Sequence, residues 1–159
     1  MMLSLHIENA SGETAVPDDE DIHRWACAAL GKDISTELSI RLVDAEESAQ
    51  LNKKYRGISK PTNVLSFPAD LPAGLPCSML GDLAICVPVL AIEAEQQNKQ
   101  PDAHWAHMII HGCLHLLGYD HIESVQAEQM EQLEISLLEK LGFSNPYQSD
   151  YLHTNGQQQ

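Results

Sequence analysis

The sequence predicts a small α+β domain with one mixed four-stranded sheet and about five helices. Three observations support this prediction. Short apolar segments alternate with helical segments through the first half of the chain, whereas two long helical segments follow each other in the second half. The length of 159 residues suits one domain with a substantial core. Residues 1–143 are predicted to form this domain, and residues 144–159, which have little to bury, a flexible tail.

The chain opens with a strand and a helix. Residues 3–8 alternate between apolar and polar side chains, which is typical of a strand. Residues 18–30 begin with four acidic side chains and end before Gly31, and acidic first turns and terminal glycines are typical of helices.

The same order is repeated once and is followed by an extended segment. Residues 38–43 are predicted as the second strand and residues 45–55 as the second helix. Residues 61–68 form an extended segment bracketed by Pro61 and Pro68. Proline cannot donate a ladder hydrogen bond, so this strand is predicted to lie at an edge of the sheet.

Prolines mark the starts of the next helices. Residues 70–78 are predicted as a loop, because they are rich in proline and glycine, and residues 80–87 as the fourth strand. Pro88 is predicted to start the third helix and Pro101 the fourth, since proline is favoured in the first helical turn.

The last predicted helix covers residues 124–141 and ends at Gly142. Its apolar side chains recur at helical spacing, which predicts one buried face. The side chains assigned to that face are Met130, Leu133, Leu137 and Leu141.

Charge and composition limit the classes of function. Nine basic against 23 acidic residues give a net charge of −14, which argues against non-specific binding of a polyanion over the whole surface. Four of the basic residues fall within one short segment, and this is the most obvious place for a phosphate backbone. They are Lys53, Lys54, Arg56 and Lys60.

The location of the protein is predicted to be cytoplasmic. The N-terminus lacks the basic start and apolar run of a signal peptide, and no stretch approaches the length of a membrane span. The four cysteines form no CxxC pair, so they are interpreted as small core residues in a reducing compartment.

Residues 111–121, HGCLHLLGYDH, carry a predicted metal site. His111 and His115 lie four apart, so both imidazoles project from one face of a helix toward one ion. Gly118 offers a turn that brings His121 back to the same ion. Three protein nitrogens leave one position open, which is the arrangement of catalytic zinc.

The spacing also matches the zincin-like HExxHxxGxxH pattern of metzincin peptidases, with one difference. Gly112 stands where the peptidase has the glutamate that accepts a proton from water. The metal site is therefore retained, whereas peptidase chemistry becomes doubtful.

The predicted metal helix is apolar nearly all round, which predicts that it is buried. Its one polar stripe contains four histidines, His104, His107, His111 and His115. Buried imidazoles need partners, and a metal satisfies the last two. His104 and His107 are interpreted either as residues that surround and support the metal ligands or as structural residues.

Three segments, YRGISKPTNVLSFP, LGDLAIC and HGCLHLLGYDH, resemble the YbeY family of ribosomal-RNA maturation endoribonucleases, in the same order. The resemblance covers most of the chain from about residue 51 to residue 142. It implies that His111, His115 and His121 hold one zinc ion and that Arg56 is the family's functionally important arginine. It also implies single-stranded RNA as the substrate, including the 3′ end of 16S ribosomal RNA, with a role in ribosome quality control.

Other interpretations remain open from the sequence. A metzincin-like metallopeptidase fits the spacing, and a non-catalytic ribosome assembly factor with a structural metal fits the acidic surface, which suits basic ribosomal proteins. Nickel, copper or another divalent ion would also accept imidazole ligands. Asp82 and Asp120 are candidates to orient imidazoles or to act as a base, and the general base is not assigned.

Overall fold

The computed structural model describes residues 3–31, 35–69, 79–119 and 123–147. Within these ranges the chain forms a four-stranded sheet and five helices, so the predicted α+β class is confirmed. The strands are β1 (Leu3–Asn9), β2 (Thr36–Val43), β3 (Val64–Pro68) and β4 (Met79–Cys86). The helices are α1 (Asp19–Leu30), α2 (Ala45–Arg56), α3 (Val87–Gln96), α4 (Pro101–Leu116) and α5 (Ser124–Lys140).

The sheet is mixed, with strand order β1-β2-β4-β3. β1 pairs with β2 and β2 with β4 in parallel, whereas β3 pairs with β4 antiparallel. β3 is therefore an edge strand, as its prolines predicted. The register places one row of side chains across all four strands, namely His6, Ser39, Asp82 and Phe67.

The core lies on the opposite face of the sheet, where α1 and α4 pack. Leu38, Ile40 and Leu42 of β2 are buried there at alternate positions, because side chains of a strand alternate between faces, and Leu83 and Ile85 of β4 belong to the same core. α4 is buried on nearly all sides, and this confirms its prediction as a buried helix. The largest fully buried side chains include Trp25, Leu38, Ile40, Ile85, Ile109 and Leu114.

α2 positions the basic segment beside the sheet. Asp44 caps its N-terminus by accepting a hydrogen bond from the Glu47 amide at 2.8 Å. Gly57 ends the helix in the left-handed conformation, with φ 74°. Two buried polar side chains of α2, Ser48 and Asn52, then bind the backbone of residues 60–62. The return of the chain into β3 is thus fixed against α2.

Two helices differ in detail from their predictions. α3 begins at Val87, one residue before Pro88, which occupies its second position. In α5 the fully buried positions are Met130, Glu134 and Leu138, whereas the predicted leucines at 133, 137 and 141 lie at the margin of the core. Met130 was predicted correctly, but a carboxylate takes the central buried position.

Several predictions fall on residues outside the described ranges: the loop at residues 70–78, Cys77, Asp120, His121 and the tail from residue 148. The described part of the predicted tail includes Tyr147, which lies beyond the predicted boundary at residue 143 and contacts His107. None of the helices in the described part of the chain combines the length and the apolar character that a membrane-spanning helix requires.

Candidate active site

A cleft of about 1430 Å³ brings together most of the residues singled out in the sequence. Its lining combines the C-terminal end of α2, the edge strand β3 and the last turn of α4 with the row of sheet residues His6, Ser39, Asp82 and Phe67. Arg56, Asp82, His111 and His115 all line it. Residues separated by more than 50 positions in the chain therefore face one space.

A buried carboxylate of α5 orients His111. The Oε2 atom of Glu134 lies 2.7 Å from Nδ1 of His111, and its Oε1 atom lies 2.7 Å from Nε2 of His107. The Tyr147 hydroxyl donates to the same Oε1 atom at 2.5 Å. Only 1% of Glu134 is exposed. Glu134 thus joins α5 and the segment after it to two histidines of α4.

Glu134 is ionised despite its burial. Burial alone would raise the pKa of its carboxyl group, but the hydrogen bonds to His107 and His111 and the proximity of both rings outweigh this and hold the pKa at about 2. Burial lowers the pKa of His107, which favours its neutral form. Burial, followed by the hydrogen bond to Glu134, raises the pKa of Tyr147 and keeps its hydroxyl protonated.

The tautomers of His111 and His115 follow from their partners. An ionised carboxylate only accepts hydrogen bonds, so Nδ1 of His111 must carry the proton that points at Glu134. The backbone carbonyl of Tyr119 likewise only accepts, and it lies 2.9 Å from Nδ1 of His115. In the neutral rings both Nε2 atoms therefore present lone pairs.

Those two Nε2 atoms lie 3.1 Å apart. Two imidazole nitrogens bound to one tetrahedral zinc ion at the usual 2.0–2.1 Å are separated by roughly 3.3 Å. The observed 3.1 Å is close to that separation. The two Nε2 atoms, the distance between them and the hydrogen bonds at both Nδ1 atoms thus fit the binding of a divalent metal.

The third predicted ligand, His121, lies outside the described ranges. Gly118 has φ 104°, a conformation that favours glycine, at the predicted turn. Over residues 3–31, 35–69, 79–119 and 123–147, no three His, Cys, Asp or Glu side chains are grouped as a metal site. The predicted ligand set of His111, His115 and His121 stays a prediction.

Arg56 is the available arginine of the cleft. It is exposed, and its guanidinium forms no ion pair or hydrogen bond with the described residues. Arg41 lines the same cleft but is held by two carboxylates, with its Nε 2.6 Å from Glu47 Oε2 and its Nη1 2.5 Å from Glu8 Oε1. These hydrogen bonds raise the pKa of Arg41 and neutralise its charge locally. A phosphate entering the cleft therefore meets Arg56 as the uncompensated arginine.

The position of Gly112 leaves no room for a side chain. A Cβ atom there would lie 2.8 Å from one methyl carbon of Leu83 and 3.2 Å from a methyl carbon of Val64. At Gly112 α4 packs closely against side chains of the sheet, and the Gly112 carbonyl accepts a hydrogen bond from Ser66 at 3.2 Å. A glutamate in the peptidase position would require the side chains of Leu83 and Val64 to shift. This favours a site without that base.

The structure also describes two other residues singled out in the sequence, Asp82 and His104. Asp82 lines the cleft from β4, whereas the Nδ1 atoms of the two histidines are held by Glu134 and by the Tyr119 carbonyl. His104 is buried and lies 2.8 Å from Glu93, in agreement with a structural role.

Glu134 and Tyr147 were missed by sequence reasoning. One signal was present for Glu134, which follows Met130 by four residues and precedes Leu138 by four, on the buried face of α5. A carboxylate on such a face needs a partner. No comparable signal pointed to Tyr147.

The fold and the paired histidines define a class: small α+β proteins with a histidine site, suited to a divalent metal, at the end of a buried helix. The family model for the endoribonuclease YbeY matches residues 6–142. The chain therefore belongs to the YbeY endoribonuclease family, a generally metal-dependent family of nucleases that act in ribosomal-RNA processing.

A solved structure shares the fold. The solution structure of TM1509 from Thermotoga maritima is 22% identical and superposes with a TM-score of 0.56. The match covers 99% of this chain and 96% of that one. At this level of identity the similarity concerns the fold alone.

Proposed function

We propose that this chain is a zinc-dependent endoribonuclease, specific for single strands, which matures the 3′ end of 16S ribosomal RNA and takes part in ribosome quality control. The observation that carries the metal part of this proposal is the 3.1 Å separation of the Nε2 atoms of His111 and His115, each ring having a hydrogen-bond acceptor at its Nδ1 atom. Family membership supports ribosomal RNA as the target.

His111, His115 and His121 are the proposed ligands of one zinc ion. A divalent metal bound there supplies Lewis-acid chemistry for phosphodiester cleavage, by polarising a phosphoryl oxygen and activating water near neutral pH. Glu134 and the Tyr119 carbonyl keep the first two imidazoles in the tautomer that binds a metal. These hydrogen bonds also increase the basicity of the ligands.

Arg56 is the proposed phosphate clamp. Its planar guanidinium can donate two parallel hydrogen bonds to phosphate oxygens and stabilise the charge that develops in the transition state. Its lack of an ion pair among the described residues supports this role, because no carboxylate there competes with phosphate. Arg41 is less available to a phosphate, because its guanidinium already donates hydrogen bonds to Glu8 and Glu47.

The net charge of −14 supports a proposed contact with a basic ribosomal protein, and the proposed compartment is the cytoplasm. Such a contact is compatible with catalysis. It would bring a protein whose surface repels most polyanions to its RNA substrate.

Cleavage assays distinguish whether the protein acts as an endoribonuclease or as a peptidase. The zinc-loaded protein is incubated with single-stranded RNA, double-stranded RNA and an unstructured protein, each with and without a chelator. We expect cleavage of single-stranded RNA that stops on chelation and returns with zinc. Cleavage of the unstructured protein but not of RNA would contradict the proposal.

A second experiment tests whether the metal is structural. His115 is only half-buried, and its substitution by alanine removes little packing. A catalytic site therefore predicts that His115→Ala stays folded and loses RNA cleavage. A variant that unfolds would indicate a structural metal, as an assembly factor without catalysis requires. Circular dichroism and urea unfolding measure the difference.

A further inference from the structure

The most exposed aromatic ring of the cleft is Tyr55. It lines the cleft together with His111, His115 and Arg56, and 56% of it is exposed. It is the last residue but one of α2, directly before the proposed phosphate clamp. More than half of the Tyr55 side chain therefore stays accessible to a ligand in the cleft.

The ring is nevertheless held in a fixed orientation. It meets Phe67 edge to face, with ring centroids 4.9 Å apart and an interplanar angle of 62°. Phe67 belongs to β3, whose approach to α2 is fixed by the hydrogen bonds of Ser48 and Asn52 to residues 60–62. Tyr55 is therefore presented by a rigid support, although it is exposed to solvent.

A cation completes the arrangement. The Lys54 ammonium lies over the Tyr55 ring, 5.3 Å from its centroid. A lysine side chain is flexible and well hydrated, so a base that approaches the ring can displace the ammonium, which then remains close enough to pair with phosphate. An exposed ring beside lysine and arginine is the combination that binds single-stranded nucleic acid without sequence preference.

We propose that Tyr55 is a positioning residue that stacks on one unpaired base of the RNA and so holds the neighbouring phosphate at Arg56 and the histidines. The inference rests on the proposed endoribonuclease function and deepens it, because it supplies a physical reason for a preference for single strands. A base in a duplex is already stacked on both sides and cannot offer its face to the ring.

The first test compares substitutions of Tyr55. Tyr55→Phe keeps the ring and is expected to cleave a single-stranded RNA oligomer as the unmodified protein does. Tyr55→Leu keeps an apolar contact with Phe67 but removes the π face. We expect its KM to rise about 5- to 150-fold, corresponding to the 1–3 kcal/mol of one base–aromatic stack, with kcat little changed. Ile92→Ala, which alters an exposed apolar residue of α3, is the matched control.

The second test locates the stacked base. Single abasic nucleotides are placed in turn along the oligomer. At one position the loss of the base should raise the KM of the unmodified protein, and the same loss should have little further effect in Tyr55→Leu. 2-Aminopurine at that position should be quenched on binding to the unmodified protein and not to the leucine variant.

The outcomes distinguish this inference from the proposed function. Equal KM values for Tyr55→Leu and the unmodified protein, or an abasic effect that disappears in Tyr119→Leu instead, would overturn the role of Tyr55 while RNA cleavage continues. Quenching that depends on Tyr55 without any RNA cleavage would support the stacking role and contradict the endoribonuclease.

Discussion

Replacement of Glu134 by glutamine tests the arrangement that prepares His111 for a metal. The carboxylate accepts from His111 at one oxygen and from His107 and Tyr147 at the other, and it is 1% exposed. Glutamine has the same shape, but one oxygen becomes an amide that donates. A donor then faces either the Nδ1 proton of His111 or the donors on the other side.

Glu134→Gln is expected to weaken both metal binding and the stability of the fold. If the amide faces His111, the ring must move its proton to Nε2, the atom that the metal needs. Loss of such an outer hydrogen bond lowers metal affinity by about 10- to 100-fold, or about 1.4–2.8 kcal/mol. The buried mismatch should also destabilise the fold by roughly 1–3 kcal/mol.

The assay is competition with a fluorescent zinc chelator, with urea unfolding of the metal-free protein in parallel. Glu139→Gln makes the same charge change at an exposed position of α5 and should leave both measurements unchanged. A Glu134→Gln variant that folds and binds zinc as tightly as the unmodified protein would show that Glu134 does not prepare His111 for the metal.

Acid should reduce the difference in stability between the unmodified protein and Glu134→Gln. The pKa of Glu134 is about 2 in the folded protein against an ordinary value of 4.5. A carboxyl group with a lowered pKa stabilises the folded state above the unfolded pKa, and this contribution is lost as the pH falls through the folded value. The difference should therefore be complete above about pH 4.5 and decrease toward about pH 2, whereas a difference independent of pH over this range would contradict the assigned ionisation.

Two further predictions concern packing and thiol chemistry. Gly112→Ala should destabilise the protein by about 1–3 kcal/mol in urea unfolding, because its Cβ would lie 2.8 Å from Leu83, and an unchanged midpoint would contradict this contact. Cys113 is fully buried, and burial raises its pKa to about 12, so iodoacetamide at pH 8 should modify the half-buried Cys27 before Cys113 when the peptides are followed by mass spectrometry. Early modification of Cys113 in folded protein would show that the core of α4 opens.

Much of the fold was readable from local patterns. The prolines around residues 61–68 predicted an edge strand, and β3 is one, because the missing amide donor excludes a central position. The apolar surround of the four histidines predicted that α4 is buried. The order β1-β2-β4-β3 had no local signal, since it depends on long-range pairing that no short spacing in the chain records.

The site was predictable only where its residues lie close together in sequence. The spacing of His111 and His115 predicted that their rings meet, and Nε2 atoms 3.1 Å apart are the result. Glu134 lies 23 residues after His111 and is one of many acidic residues in an acidic chain. Its role depends on how α5 docks against α4, and the leucines at 133, 137 and 141 gave a competing apolar face.

In the proposed function, a metal held by the histidines and a phosphate held by Arg56 act together on RNA. Zinc content and cleavage of single-stranded RNA should be measured on the same preparations of the unmodified protein, Arg56→Ala and Arg24→Ala. Arg24 is 60% exposed on α1 and does not line the cleft, so its variant controls for the loss of one positive charge.

We expect all three to hold one zinc ion per chain, with cleavage reduced about 100- to 1000-fold in Arg56→Ala alone. Zinc-loaded Arg56→Ala that cleaves RNA at the rate of the unmodified protein would exclude a role of Arg56, and cleavage by unmodified protein that holds no metal would exclude a role of the metal.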